Sequence, residues 1–435
     1  MAALVIRGAQ VFHNGRFQAL EVRCDGPWVT TVAPQVDASG ARVIDAGGLH
    51  CFPGVVDVQV HFRDPGLTHK EDLESASRAC AKGGVTSFLE MPNTIPLAIN
   101  QTEIEHKLDL AAKKSRVNYG FFIGATNDNI SQLQMAKRVC GIKIFMGAST
   151  GDLLVDDPEA LEKIFQLTDK RRVIALHAED EAFLKARKDQ FSSVETLAAY
   201  TEWRNDEAAW RATDTAVKLA HKHHHRAHIL HVSTARECAL FKHDDPYVTA
   251  ETSPHHLLMN VQDDAHLGTL AKMNPPLKYR ADNAGLWAAL RDGRVQCIAT
   301  DHAPHLLTEK RKGMWQAPAG IPAIENSLAM ILDASSRGLC TLEQVALWMC
   351  ENPARIYRMK GRGIIQPGAF ADIALVDAKA SHTLDNKDQH TKCAWTPWHG
   401  RTITGKPVLT VVNGQVVFEN GHVNDNIRGR ELLYV

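Results

Sequence analysis

No apolar run in this chain approaches the ~18 residues that a membrane-spanning helix requires. The opening residues, Met1-Ala2-Ala3-Leu4-Val5-Ile6-Arg7-Gly8, lack the long apolar segment of a secretory leader. The expectation is a cytoplasmic protein without membrane contact. No charge of one sign is in excess either. The 49 lysines and arginines are balanced by 50 aspartates and glutamates, which leaves no basic surplus for nucleic acid or an anionic membrane surface. The nine cysteines are scattered, with no Cys-x-x-Cys pair. In so long a chain they read as reduced thiols rather than a disulfide framework. Also missing is a Gly-x-Gly-x-x-Gly after a strand, which weighs against a dinucleotide fold.

What is present is an ordinary globular composition, 44% hydrophobic and 23% charged over 435 residues, enough for a large core and more than one domain. Both ends read as β. Leu4–Ile6, Val11-Phe12, Leu20–Arg23 and Arg42–Asp45 lie at one end, with Ala371–Val376, Leu409–Val412 and Gln415–Phe418 at the other. Asn14-Gly15 and Asn413-Gly414 are hairpin signals. One small β-sandwich domain built from residues 1–52 and 361–435 is expected. Between them, eight apolar runs recur: Val55–Val60, Thr86–Glu90, Tyr119–Gly124, Gly141–Phe145, Val173–His177, His228–Val232, Tyr247–Ala250 and Gln296–Thr300. Helix patterns at Glu71–Lys82, Glu103–Lys114, Pro158–Thr168, Glu207–His224 and Asp282–Arg291 separate them. This α/β alternation implies a parallel sheet, and eight units fit a TIM-type (β/α)8 barrel over 53–360. An open doubly wound sheet is the alternative.

Barrel chemistry sits at the C-terminal ends of the strands. The first run leads into Gln59, His61 and Arg63, two apart and so on one side of an extended chain. The second ends Glu90-Met91-Pro92-Asn93-Thr94, the fourth carries Lys143, the fifth ends at His177, the sixth at His231 and the eighth at Asp301. A lone histidine at a strand end is more often a structural hydrogen-bonder. Three of them with an aspartate form a set that Zn²⁺ favours. Lys143 is the odd member. It is either a surface lysine on an edge strand or, among Ile142, Ile144 and Phe145, a buried amine. Burial lowers a lysine's pKa, and a neutral amine can add CO2 to give a carbamate that bridges two cations.

These residues resemble the amidohydrolase superfamily, and more closely its class I dihydroorotases, over nearly the whole chain. The markers are Asp57-Val58-Gln59-Val60-His61-Phe62-Arg63-Asp64-Pro65-Gly66, Glu90–Thr94, His231-Val232-Ser233-Thr234-Ala235, Asn274-Pro275-Pro276-Leu277, Thr300-Asp301-His302-Ala303-Pro304-His305 and Gly368–Asp372. The resemblance implies one or two zinc ions, with His61 and Asp301 on one and His177 and His231 on the other. It implies N6-carboxylated Lys143 as the bridge, Asp152 being the weaker candidate. Arg63, Asn93 and His305 would hold a substrate carboxylate. Asn274 and the backbone at Ala319 and Gly320 would contact a pyrimidine ring. The implied reaction is reversible hydrolysis of dihydroorotate to N-carbamoyl-aspartate, with Asp301 shuttling the proton. A homodimer is expected, with contact to aspartate transcarbamoylase as a further partner.

One departure stands out. The family's His-x-His is here Gln59-x-His61. An amide is a poor zinc ligand beside imidazole, so this half of the site is expected to be weakened. Two other functions compete. Hydantoinases tend to carry Tyr where this chain has Ala148, and allantoinases tend to lack the arginine at Arg63. A catalytically impaired homologue serving as a structural partner is the non-enzyme alternative. Of the remaining signals, His221–His225 reads as a solvated helix end suited to the helix dipole. His255-His256 places at most one ring near the pocket. Residues 306–313 form a lid or an ordinary solvated loop, anchored by Trp315 and Pro318. Trp395-Thr396-Pro397-Trp398 is read as a surface contact.

Overall fold

The computed structural model describes residues 3–147 and 153–435; Ala148 and Asp152 lie outside the described residues. Eight parallel strands stand side by side in chain order: Val55–Val60, Val85–Glu90, Asn118–Gly124, Gly141–Phe145, Val173–His177, Ala227–Ile229, Val248–Thr252 and Cys297–Ile298. The ring closes where Val60 bridges His302 and the His61 amide donates to the His302 carbonyl at 2.8 Å. The chain is therefore a (β/α)8 barrel, and the open sheet is ruled out. Most of these strands are buried on both faces, which is why they read as short, nearly continuous apolar runs. The sixth and eighth are shorter than expected. His231 (φ 36°) and Asp301 (φ 47°) turn into left-handed backbone just past them, and that ends the extended conformation.

Helices cover the outside. Asp206–His223 shows the logic: Ala208, Ala212, Ala216 and Ala220 recur every four residues and are buried, one face turned to the barrel. Asn205 caps its start, and His224 ends it at φ 49°. The histidine tract is this helix end. His221 pairs with Asp245 at 3.0 Å and His223 with Glu162 at 3.2 Å. His225 differs from the expectation: it is buried, 3.0 Å from Thr168 Oγ1.

The sandwich packs a four-stranded sheet (Trp28–Ala33, Glu21–Asp25, Ala3–Arg7, Ala41–Asp45) on a seven-stranded one built from both ends of the chain. Leu4, Ile6, Val22, Cys51, Ile373 and Val411 share its core. Asn14-Gly15 and Asn413-Gly414 turn its hairpins with positive φ at all four residues, as a type I′ turn requires. Two C-terminal segments leave this domain. Residues 429–435 run beside the third barrel strand, with the Leu432 amide donating to the Tyr119 carbonyl at 2.9 Å. The connection between Thr383 and Thr402 reaches the barrel rim, where Trp395 Nε1 donates to the His305 carbonyl at 2.8 Å. Trp395 and Trp398 are buried, which corrects their reading as a surface contact: they anchor this connection against the barrel. Among the described residues no helix is long and apolar enough to cross a membrane.

Candidate active site

The first strand delivers Gln59 and His61 to the rim opposite Asp301 from the last. Gln59 Nε2 donates to Asp301 Oδ1 at 3.0 Å, and His61 Nε2 lies 3.1 Å from the same oxygen. His61 Nδ1 faces Asn93 Oδ1 at 2.7 Å. An amide oxygen only accepts, so the ring proton sits on Nδ1 and a lone pair on Nε2 looks at a carboxylate. Burial lowers the His61 pKa, which disfavours a second ring proton. Lone pair and carboxylate together are a cation's donor set.

A second pair lies across the rim. His177 Nδ1 is 3.0 Å from His231 Nε2. His177 Nε2 is 3.0 Å from Glu179 Oε2, and Arg204 grips the same carboxylate at 2.5 Å. The acceptor at Glu179 draws the His177 proton to Nε2 and leaves Nδ1 as a second lone pair. Burial lowers the pKa of both rings. Lys143 belongs with both pairs: Asp301 acts on its charge, and it acts on His177 and His231. It is buried, so the edge-strand reading fails. Its Nζ has no hydrogen-bond partner among the described residues. Burial pushes its pKa down to about 7, so a large share is neutral amine near neutrality. Gln59 Oε1 and His231 Nδ1 are also buried without partners among the described residues. This donor set, with a bare amine and acceptors facing acceptors, fits one or two zinc ions and a carboxylated lysine.

Beside this donor set is a small pocket lined by Arg63, Asn93, Asn274, Ala319 and Gly320 together with His61 and Asp301. His305 stands behind it. Lys70 Nζ lies 3.1 Å from His305 Nδ1 and can only donate. The His305 proton is therefore on Nε2, which donates to the Ala319 carbonyl at 3.1 Å. Arg63 Nη2, 3.3 Å from that Nε2, meets an N–H rather than an acceptor. Arg63 Nη1 has no partner among the described residues. The guanidinium is buried, and burial lowers its pKa to about 10. A buried cation with an unpartnered terminal nitrogen has the chemistry to take an anion.

Several contributors do not stand out in the sequence. Glu179, two residues past His177, and Arg204 orient that ring. Tyr200 Oη donates to Asn274 Oδ1 at 2.6 Å. Lys272 and Lys310 are buried and donate only to carbonyls around the pocket wall. The spacing His177-x-Glu179 is a readable signal, but nothing in the residue order pairs Glu179 with Arg204, 25 residues on. Within residues 306–313, Leu307–Lys310 forms a short helix whose Lys310 is buried. His256 Nε2 donates to the Pro275 carbonyl at 3.0 Å, and His255 is buried beside it.

The amidohydrolase family model matches residues 51–417. The chain belongs to the amidohydrolase family. Within that family its similarity is to dihydroorotases. It is 34% identical over 402 residues to the dihydroorotase of Methanothermobacter thermautotrophicus, covering 92% of this chain and 90% of that one. It is 34% identical over 424 residues to that of Halobacterium salinarum, 97% of both, and 32% identical over 433 residues to that of Lactobacillus helveticus, 96% and 99%. Among solved structures, an L-hydantoinase (dihydropyrimidinase) from Arthrobacter aurescens superposes with a TM-score of 0.91 at 28% identity over 98% of each chain. A dihydropyrimidinase from Brevibacillus agri, at 23% identity, TM-score 0.89 and coverage of 100% and 98%, shares the fold.

Proposed function

We propose that this chain is a dihydroorotase, hydrolysing the cyclic amide of dihydroorotate reversibly to N-carbamoyl-aspartate in pyrimidine biosynthesis. The observation that carries this choice is Arg63. A buried guanidinium without an ion-pair partner among the described residues matches a substrate that bears a carboxylate beside its ring. Hydantoin and allantoin carry none. Two parallel N–H groups can bind that carboxylate, with Asn93 beside them. Asn274, positioned by Tyr200, and the backbone at Ala319 and Gly320 form the wall for the ring.

His61, Asp301, carboxylated Lys143, His177 and His231 are the proposed zinc ligands, with Gln59 at the position of a missing histidine. Bound zinc supplies an acidified water and polarisation of the scissile carbonyl. Asp301 takes a proton from the attacking water as the C–O bond forms, then passes it to the ring nitrogen as the C–N bond breaks. Gln59 holds Asp301 in place through the 3.0 Å hydrogen bond, and His61 borders the same oxygen. The test is a panel of dihydroorotate, hydantoin and allantoin with zinc analysis of the same preparation. Turnover confined to dihydroorotate is expected. Turnover of hydantoin or allantoin but not dihydroorotate refutes the assignment.

Gln59 favours a second reading, a homologue with a reduced metal site that serves as a structural partner, for instance of aspartate transcarbamoylase. An inactive natural protein and a strongly active Gln59→His variant would support it. Homodimer formation is part of the leading proposal. Trp395 and Trp398, being buried, do not supply its contact.

A further inference from the structure

Three polar side chains that the proposed reaction does not use meet inside the barrel wall. They are His228, Glu251 and Cys297, from the sixth, seventh and eighth strands, and all are fully buried. Glu251 and Cys297 are direct cross-strand partners, and so are His228 and Thr249. His228 Nε2 is 2.9 Å from Glu251 Oε2 and 4.0 Å from Cys297 Sγ. One ligand atom from each lies within 4.8 Å of the others, and this is the one such His/Cys/Asp/Glu group among the described residues. Cys297 belongs to an apolar cluster with Val56, Val58, Leu89, Phe122 and Leu230, while the charges of Lys143 and Asp301 act on Glu251 from the rim. Polar groups buried in such a place are costly unless satisfied.

Their hydrogen bonds leave a gap in that satisfaction. Thr249 Oγ1 lies 3.3 Å from the Ala227 carbonyl and 2.8 Å from His228 Nδ1. With its proton on the carbonyl, the hydroxyl accepts from Nδ1–H, and the Nε2 lone pair then faces the carboxylate as an imidazole ligand held by an outer hydrogen bond would. Glu251 Oε1 has no partner among the described residues. We propose that His228, Glu251 and Cys297 form a separate structural site for a borderline-soft divalent cation of the zinc type. Imidazole, carboxylate and thiolate suit such an ion. A dication would replace the thiol and carboxyl protons, releasing two H⁺ and leaving the site neutral. Tyr357 packs edge-on against His228 at 5.6 Å with a hydroxyl that has no partner among the described residues, a source for a fourth oxygen. Such an ion would cross-link three neighbouring strands beneath the rim. The competing arrangement is metal-free, with one proton shared between His228 Nε2 and Glu251 Oε2 across 2.9 Å.

The site rests on its own residues, not on the assigned substrate, and Co²⁺ is the probe that separates the two. The full-length protein is exchanged into Co²⁺ and its absorption recorded. The rim donors are nitrogen and oxygen, whereas a thiolate ligand adds a sulfur-to-cobalt charge-transfer band in the near ultraviolet. The band is expected in the natural protein and in a His177→Ala, His231→Ala double variant. It should vanish in Cys297→Ser, whose zinc content should fall by one equivalent per chain. A natural protein saturated with Co²⁺ that lacks the band overturns the site, whether or not any variant folds. So does a band that survives in Cys297→Ser.

Discussion

Arg63 holds a backbone φ of 64°, and His231 and Asp301 are likewise left-handed at 36° and 47°. A non-glycine side chain in that region costs of order 1 kcal/mol or more, and such residues collect where the surrounding structure fixes them for function. Here each lies just beyond a barrel strand and turns a side chain into the rim. Arg63 Nε donates to the Pro304 carbonyl at 3.4 Å, but Nη1 has no partner among the described residues and Nη2 faces His305, whose tautomer Lys70 sets. Arg63→Met should raise KM for dihydroorotate at least tenfold, the order of one lost charged hydrogen bond, while bound zinc stays unchanged. Steady-state kinetics with metal analysis on one preparation checks this; an unaltered KM with metal loss would remove Arg63 from substrate binding. The residue types on this rim are legible in the sequence alone, since Gln59, His61, Lys143, His177, His231 and Asp301 each sit near a strand end. Their protonation is not. It depends on Asn93 beside His61 and on Glu179 beside His177, the latter held by Arg204 from 25 residues further on.

At the scale of elements, the pocket wall is held by two lysines that reach across it. Lys310 Nζ donates to the carbonyls of Lys272, Pro318 and Gly320 at 2.9–3.0 Å. Lys272 Nζ donates to those of Met314 and Ala317 at 2.5 and 2.6 Å. The stretch 314–320 is thereby fastened to the stretch leading into Asn274, and the binding wall is preformed. Lys310→Met leaves three carbonyls short of a donor. A stability loss on the order of 2 kcal/mol is expected, with KM rising more than kcat falls. Equal KM in the variant and the natural protein would show that the wall stands without the staple. From sequence, Glu309-Lys310-Arg311-Lys312 lies in a charged loop that reads as a lid or as an ordinary solvated loop, exposed in either case. What reverses that reading is a ring of backbone carbonyls, which residue types do not announce.

Across the whole molecule, buried histidines make folding sensitive to acid. Burial lowers His225 to about 4 and His256 to about 4, from an ordinary 6.5. Below 6.5 the unfolded chain takes up protons that the folded one refuses. Their stabilising contribution is complete above that pH and is lost as pH falls toward 4, on the order of 3 kcal/mol for each ring. The denaturant midpoint should drop steeply between pH 6.5 and 4.5, and His225→Gln, far from the rim, should flatten the curve. A midpoint independent of pH in that window would contradict the burial argument.

The order of strands and helices, the barrel and the two-ended sandwich follow from local patterning, because hydrophobic period and turn chemistry act over a few neighbouring residues. Five of the eight barrel strands lie within one residue of the bounds their apolar runs predict. Of the remaining three, the sixth and eighth stop short of the positive φ at His231 and Asp301, and the seventh runs on to Thr252. Only the tertiary structure decided that Lys143 is buried without a hydrogen-bond partner among the described residues, that Trp395 anchors a rim segment rather than facing outward, and that His228, Glu251 and Cys297 meet. Each of those depends on closing a ring of strands, and side chains dozens of residues apart acquire their chemistry only when that closure excludes water between them.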